Sequence, residues 1–441
     1  MLRSLFVATG IKEYFPKNFI CKMSKHTFID LFAGAGGLSE GFINAGFTPI
    51  AHVEIENSAC NTLRTRTAYH YLKQSGNINI YNSYLKNEIS REELYEQIPK
   101  KLIQSVVNEG ISQENNSLIF NKIDAQLNPS QEIDIIIGGP PCQAYSLVGR
   151  SRSENQMKRD PRNFLYVQYG KYLERYKPKL FLFENVLGLK SAGNGLYLTN
   201  MERLFNSKGY KIHIFLVKAE KFGVLQYRRR VIIIGWRDDF IPNLPDLENY
   251  QGNHSGLVSD IFKDLPKLQS GEGVDKYCSY LGQAANYIKK SEIRNGFDIL
   301  THHVARPHNE RDREIYKIAV DKWNIDNERL NYNDLPERLK THNNRTSFID
   351  RYKVVGADLP ASHTVVAHIA KDGHYYIHPD IAQNRSISVR EAARLQSFPD
   401  DFFFEGVTER ANRTAAFTQI GNAVPPLMAR KIAEELKHLL H

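Results

Sequence analysis

The chain has 441 residues, 41% of them hydrophobic and 24% charged, which is the balance of a folded globular protein and excludes a largely disordered or fibrous one. At about 150 residues per domain, two or three domains fit this length. The formal net charge of +9, from 58 Lys+Arg against 49 Asp+Glu, favours a polyanionic partner. No run approaches the roughly 20 apolar residues that cross a bilayer. The four cysteines (Cys21, Cys60, Cys142 and Cys278) stand far apart, with no CxxC metal pair and no disulfide framework, which suits a reducing cytoplasm.

Residues 1–25 read as an N-terminal extension. The apolar run Leu5–Ala8 is too short for a signal-peptide core, and Met23, just before the first strand pattern, is an alternative start. From His26 a βα rhythm sets in. Thr27–Phe32 reads as a strand, Gly34-Ala35-Gly36-Gly37 as a turn, Leu38–Ala45 as a helix and Phe47–Val53 as a second strand. Leu118–Ile123, Ile133–Ile137, Leu180–Phe183 and Val231–Trp236 are further short apolar runs. They suit strands buried on both faces of a parallel sheet, with helices predicted at Phe164–Tyr176 and Leu196–Lys208. This alternation implies an α/β architecture, a mostly parallel sheet with helices on both faces.

Two segments break the rhythm. Residues 61–117, rich in Asn, Lys, Glu and Tyr, read as an insertion in a catalytic and cofactor domain spanning 26–236. Residues 237–384 hold 19 Lys+Arg against 22 Asp+Glu and 9 of the 15 histidines, and read as a smaller, irregular second domain. Residues 385–441 return to helical patterning, with a terminal helix expected at Leu427–Leu440.

Four motifs carry chemistry. The glycine turn after the first strand allows close backbone approach to a nucleotide-like ligand at a helix N-terminus. It is neither the GxGxxG of dinucleotide enzymes nor a P-loop. Glu54, after the second strand, stands where an acidic residue takes ribose hydroxyls, and Asp124, placed after a third strand, is a candidate for an adenine amino group. Gly138-Gly139-Pro140-Pro141-Cys142-Gln143 sets a cysteine on a rigid loop, followed by Arg150, Arg152, Lys158, Arg159 and Arg162, whose positive charge favours a thiolate. Phe183-Glu184-Asn185-Val186 places a carboxyl at a strand end, suited to hold or donate a proton. Gln226-Tyr227-Arg228-Arg229-Arg230 places Arg228 and Arg230 on one face of a strand, suited to an anion or a carbonyl oxygen.

In order, DLFAGAGG, GGPPCQAYS, ENV, QYRRR, RSISVREAARLQSFP and QIGNAVPP resemble the motifs of the cytosine-C5 DNA methyltransferase family, covering residues 26–236 and 385–441. The resemblance implies the class I S-adenosylmethionine-dependent methyltransferase fold, with S-adenosyl-L-methionine as cofactor; no metal is expected, because no tight His/Cys ligand set accompanies the clustered histidines of residues 237–384. It implies that Phe32 lies against the cofactor's adenine, with Gly34 and Gly36 near its amino-acid end. Glu54 then holds the ribose and Asp124 the adenine amino group, while Pro141, Leu165, Asn422 and Val424 complete the pocket. Cys142 matches the nucleophile, Glu184 the acidic group at the target base, and Arg230 the contact to cytosine O2, with Arg228 and Gln226 supporting that loop. Residues 237–384 occupy the place of the target-recognition region, and Thr364-Val365 matches the small pair near its end in some bacterial members.

The implied partner is double-stranded DNA, read by a cytoplasmic monomer paired functionally with a restriction endonuclease. A tRNA cytosine methyltransferase of the same fold is the nearest alternative, disfavoured by the Ala-Tyr-Ser that follows Cys142-Gln143 and by the long recognition region. A catalytically silent DNA-binding partner subunit has no chemical need for Cys142, Glu184 and Arg230 together. A dehydrogenase lacks its third glycine.

Overall fold

The computed structural model describes residues 26–141, 164–252, 256–410 and 412–440. Seven strands form one sheet: β1 Thr27–Leu31, β2 Thr48–Glu54, β3 Val106–Asn108, β4 Ile135–Gly138, β5 Leu180–Asn185, β6 Tyr210–Lys218 and β7 Arg229–Arg237. Their order is β3-β2-β1-β4-β5-β7-β6. β3, β2, β1, β4 and β5 pair in parallel, whereas β7 runs antiparallel to both β5 and β6.

The continuous apolar runs are explained by burial on both faces. Phe28, Ile135, Ile137, Leu182 and Ile232 face one side, against Phe42 of α1 (Gly37–Asn44). Ile29, Leu31, Ile136, Phe181, Phe183 and Ile233 face the other. There they meet Ile119 and Ile123 of a helix discussed below, Tyr169 and Leu173 of a helix at Leu165–Tyr176, and Phe205 of a helix at Leu196–Ser207. A helix at Pro426–His438 lays Met428, Ile432 and Leu436 beside α1, in the same core as Phe28. The far end of the chain therefore returns to the first strand.

One expectation is overturned. Leu118–Ile123 is not a strand but part of a helix, Asn116–Asp124. Ile119 and Ile123, four apart, are its two fully buried apolar side chains, while Leu118 is exposed; that spacing is one helical stripe. The third strand is Val106–Asn108, inside the segment read as an insertion. The rest of that segment is helical: α2 Asn57–Gln74, α3 Ile78–Leu85, α4 Arg91–Glu96 and α5 Lys100–Gln104. With the helices already placed, these continue as α6 Asn116–Asp124, α7 Leu165–Tyr176 and α8 Leu196–Ser207.

Among the described residues of 237–384 the regular elements are a two-stranded ladder, β8 Gly273–Val274 with β9 His303–Val304, and two α-helices, α9 Asn286–Lys290 and α10 Glu310–Asp326, together with short 3-10 turns. One cluster packs Ile315, Tyr316 and Val320 of α10 on Tyr332, Leu339 and Val354. A second joins Val258, Ile261, Tyr287, Val355 and Val365 to Ile387, Leu395, Phe398 and Ile420. This segment thus shares a core with α11 (Val389–Leu395) and α12 (Arg413–Asn422), which precede the terminal helix α13 (Pro426–His438). α11 is wholly buried and begins with a capping box, Ser388 with Glu391. Its charges are all paired: Arg394 bridges Asp264 and Asp400 at 2.6 Å each, and Glu391 holds Arg385 at 2.7 Å.

Candidate active site

The C-terminal ends of β1 to β5 open into a cavity of about 1840 Å³. In open α/β sheets, ligands bind at this edge. Phe32, Gly34, Glu54, Pro141, Leu165, Asn422 and Val424 line it, as do Glu184, Arg228 and Arg230. Ten of the predicted site residues therefore share one cavity, although they lie up to 392 positions apart in the chain, from Phe32 to Val424.

At one end the glycine turn leaves β1. Gly34 and Gly36 have φ of 54° and 85°, the left-handed region that favours glycine, and Gly36 caps α1. A side chain at Gly37 would lie 2.3 Å from the Val424 carbonyl oxygen, so glycine is required for the C-terminal segment to close on the turn. Glu54, the last residue of β2, accepts three backbone N–H bonds, from Gly34 at 2.7 Å, Ile55 at 2.9 Å and Glu56 at 2.8 Å. Burial raises its pKa, and those bonds oppose the rise.

At the other end, β5 and β7 pair so that Glu184 lies opposite Ile232. Glu184 Oε1 lies 2.7 Å from Arg230 Nε, an ion pair with both side chains largely buried. The loop after β4 reaches this pair: a side chain at Gly139 would lie 2.9 Å from Glu184 Oε2. Cys142, and the basic loop after it, lie outside the described residues.

Arg228 and Arg230 do not act together. β7 begins at Arg229, and Arg228 is 1% exposed, its guanidinium donating to the Val365 and Ala423 carbonyls at 2.8 and 2.9 Å. Gln226 is fully buried, and its Oε1 accepts the Val365 N–H at 3.0 Å. Both tie the segment before β7 to Val365. Thr364 lines the cavity and donates to the Tyr227 carbonyl at 2.5 Å.

Asp124 is a correction. It ends α6 and not a strand, binds Arg175 and Tyr176 (the latter at 3.0 Å), and does not line the cavity. Glu109, Gly110 and Ile111, just after β3, line it instead. Sequence reasoning also missed Asp30. Buried in β1 and lining the cavity, it accepts from the Ser39 hydroxyl, and burial, aided by Glu54, pushes its pKa up to about 8. A lone carboxyl inside an apolar strand was the signal for it. Among the described residues, no three His, Cys, Asp or Glu side chains are grouped to hold a metal, and no helix is long and apolar enough to cross a membrane.

A mostly parallel seven-stranded sheet with one reversed strand and a glycine turn closing on an acidic residue after β2 defines the class I S-adenosylmethionine-dependent methyltransferase fold. Within it, the chain belongs to the C-5 cytosine-specific DNA methylase family, whose model matches residues 26–89 and 70–438. It is 41% identical to the type II methyltransferase M.Bpa9945I of Bacillus paralicheniformis, over 94% of this chain and 99% of that one. It is 30% identical to the type II methyltransferase M.AgeI of Thalassovita gelatinovora, over 93% and 98%. A prophage-encoded E. coli protein, assigned as a DNA modification methyltransferase, shares the fold with a TM-score of 0.61 and 24% identity, over 94% of this chain and 99% of that one. The chain is a DNA (cytosine-5-)-methyltransferase.

Proposed function

We propose that this enzyme methylates one short duplex motif, with Cys142 as nucleophile and the Glu184–Arg230 pair as the cradle of the flipped cytosine. The ion pair carries this reading: a carboxylate and a guanidinium sit together at the cavity end reached by the Gly-Gly-Pro-Pro loop. A carboxylate is suited to the N3 and amino edge of cytosine, and a guanidinium to O2. The target base must leave the duplex to expose C6. Cys142 thiolate adds to C6, which breaks aromaticity and makes C5 nucleophilic. Glu184 and Arg230 stabilise the charge that develops on the ring. Loss of the C5 proton and of the cysteine restores aromaticity after transfer.

The cavity fits S-adenosyl-L-methionine. Phe32 and the residues after β3 suit its adenine, Glu54 a ribose hydroxyl, and Gly34, Gly36, Asn422 and Val424 its remaining edge. When bound, it supplies a methyl group on a sulfonium. Residues 237–384 present Thr364 at the same cavity, which supports their reading as the part that selects the DNA sequence through groove-edge contacts. The relatives named type II methyltransferases support a place in a restriction–modification system; the cognate endonuclease, the cytoplasmic location and the monomeric state belong to this reading.

Bisulfite sequencing of DNA from cells expressing the chain tests this. One protected short motif is expected, absent with the Cys142→Ser variant. Protected cytosines in tRNA and none in DNA would overturn the duplex reading.

A further inference from the structure

Three fully buried polar side chains lie between the recognition segment and the cofactor wall. Gln226, Arg228 and Gln396 are 0%, 1% and 0% exposed. Arg228 joins the Val365 carbonyl to the Ala423 carbonyl directly, at 2.8 and 2.9 Å. A second route runs through two amides. Gln226 Oε1 accepts the Val365 N–H at 3.0 Å, Gln226 Nε2 donates to Gln396 Oε1 at 2.6 Å, and Gln396 Nε2 donates to the Ala423 carbonyl at 2.6 Å. Both backbone polar groups of Val365 are thereby held, and the Ala423 carbonyl takes two donors.

The ends of this circuit are functional surfaces. Thr364 and Val366, flanking Val365, line one part of the cavity. Asn422 and Val424, flanking Ala423, line another, and Val424 abuts the glycine turn at Gly37. The two surfaces also touch: a side chain at Gly421 would lie 2.2 Å from the Ala367 amide nitrogen. All three side chains are buried from solvent, and in a low-dielectric interior a hydrogen bond left unmade is costly. Interiors packed at this density do not deform continuously, so a shift of Val365 moves Ala423 with it.

We propose that Gln396 is a positioning residue through which DNA engagement at Thr364–Val365 and cofactor binding at Asn422–Val424 reinforce each other. It touches neither ligand. The inference rests on the assignment of those two surfaces under the proposed function. Coupling of this kind is reciprocal, since each ligand must tighten the other by the same factor, typically about 5- to 150-fold.

The test is calorimetric. The dissociation constant of S-adenosylhomocysteine is measured with and without a duplex carrying the methylated motif, for the wild-type chain and for Gln396→Met. Methionine keeps the side-chain volume, and both partners of Gln396 keep another bond: the Ala423 carbonyl still accepts from Arg228, and Gln226 Nε2 still donates to the Leu395 carbonyl at 3.3 Å. In wild type the duplex should tighten S-adenosylhomocysteine at least about fivefold. In Gln396→Met each ligand alone should bind within about twofold of wild type, and the mutual tightening should fall to less than about half its wild-type factor, with the Arg228 route left in place. Wild-type binding with no mutual tightening overturns the proposal whatever the variant does. So does full coupling in the variant, or weakening of both separate affinities with their coupling unchanged, which marks a merely structural role. If wild type binds no S-adenosylhomocysteine at all, the cofactor reading falls and this inference with it.

Discussion

Replacing Glu54 by Gln probes the cofactor end of the site with few other consequences. An ionised carboxylate offers about four acceptor positions, and backbone N–H groups of Gly34, Ile55 and Glu56 occupy three. One remains, which suits a single ribose hydroxyl. Glutamine turns one oxygen into a donor. The less costly rotamer gives up Oε2, which serves Gly34 alone, and keeps the oxygen shared by Ile55 and Glu56. The ribose then loses its charge-assisted acceptor, worth about 1.5–3 kcal/mol. At about 1.4 kcal/mol per decade, S-adenosylhomocysteine should bind roughly 10- to 150-fold more weakly. Folding should change little, because removing a buried charge offsets the lost bond to Gly34. Titration calorimetry reads the first quantity and denaturant unfolding the second. An affinity loss below about threefold, with the fold intact, would refute the ribose assignment and with it the counting of lone pairs.

The remaining predictions follow from the other side chains described. Cys142→Ser should abolish transfer of labelled methyl to DNA while mobility-shift binding of the duplex persists, and methylation near the wild-type rate would remove Cys142 from the mechanism. Arg394→Met removes the guanidinium that bridges two fully buried carboxylates, leaving Asp264 only Arg294 and Asp400 only the more distant Arg390 and the Tyr280 hydroxyl, and should cost about 3–5 kcal/mol in denaturant unfolding; a loss under 1 kcal/mol would contradict it. Burial, foremost among the causes, lowers His308 to about 3 and His363 and His378 to about 4. Folded values below the unfolded one mean that the unfolded state binds more protons, so their contribution is complete above about pH 6.5 and declines as pH falls toward 4. The slope is about 1.4 kcal/mol per pH unit for each histidine. Hydrogen exchange at pH 7 and 5.5 should therefore show residues 303–378 losing protection before the sheet, and the reverse order would count against it.

The apolar runs of β1, β4, β5 and β7 were legible because a strand buried on both faces has no other way to be written. β3 was not, since three residues at the edge of a sheet, among polar helices, make no pattern. Leu118–Ile123 misled for a related reason: six mostly apolar residues can be a buried strand or a helix with one stripe, and only the neighbours decide. The error carried over to Asp124, whose role was inferred from the end of that supposed strand. Glu184 and Arg230 were legible as separate motifs, but their pairing depends on β5 and β7 being antiparallel neighbours, a fact of topology. The buried amide circuit through Gln396 was invisible, because glutamines carry no periodicity.

The return of α13 to α1 also sets an order of events during synthesis. Residues 412–424 supply one wall of the cavity, and α13 holds that wall against the glycine turn. A ribosome that has made the glycine turn, the Pro-Pro-Cys loop and residues 237–384 has yet to make that wall. The cavity is therefore incomplete until residues 412–424 have emerged, and α13 follows to hold them in place. A stop codon between the Pro-Pro-Cys loop and residue 412 yields a product that keeps Cys142, the proposed nucleophile, yet lacks that wall of the cavity.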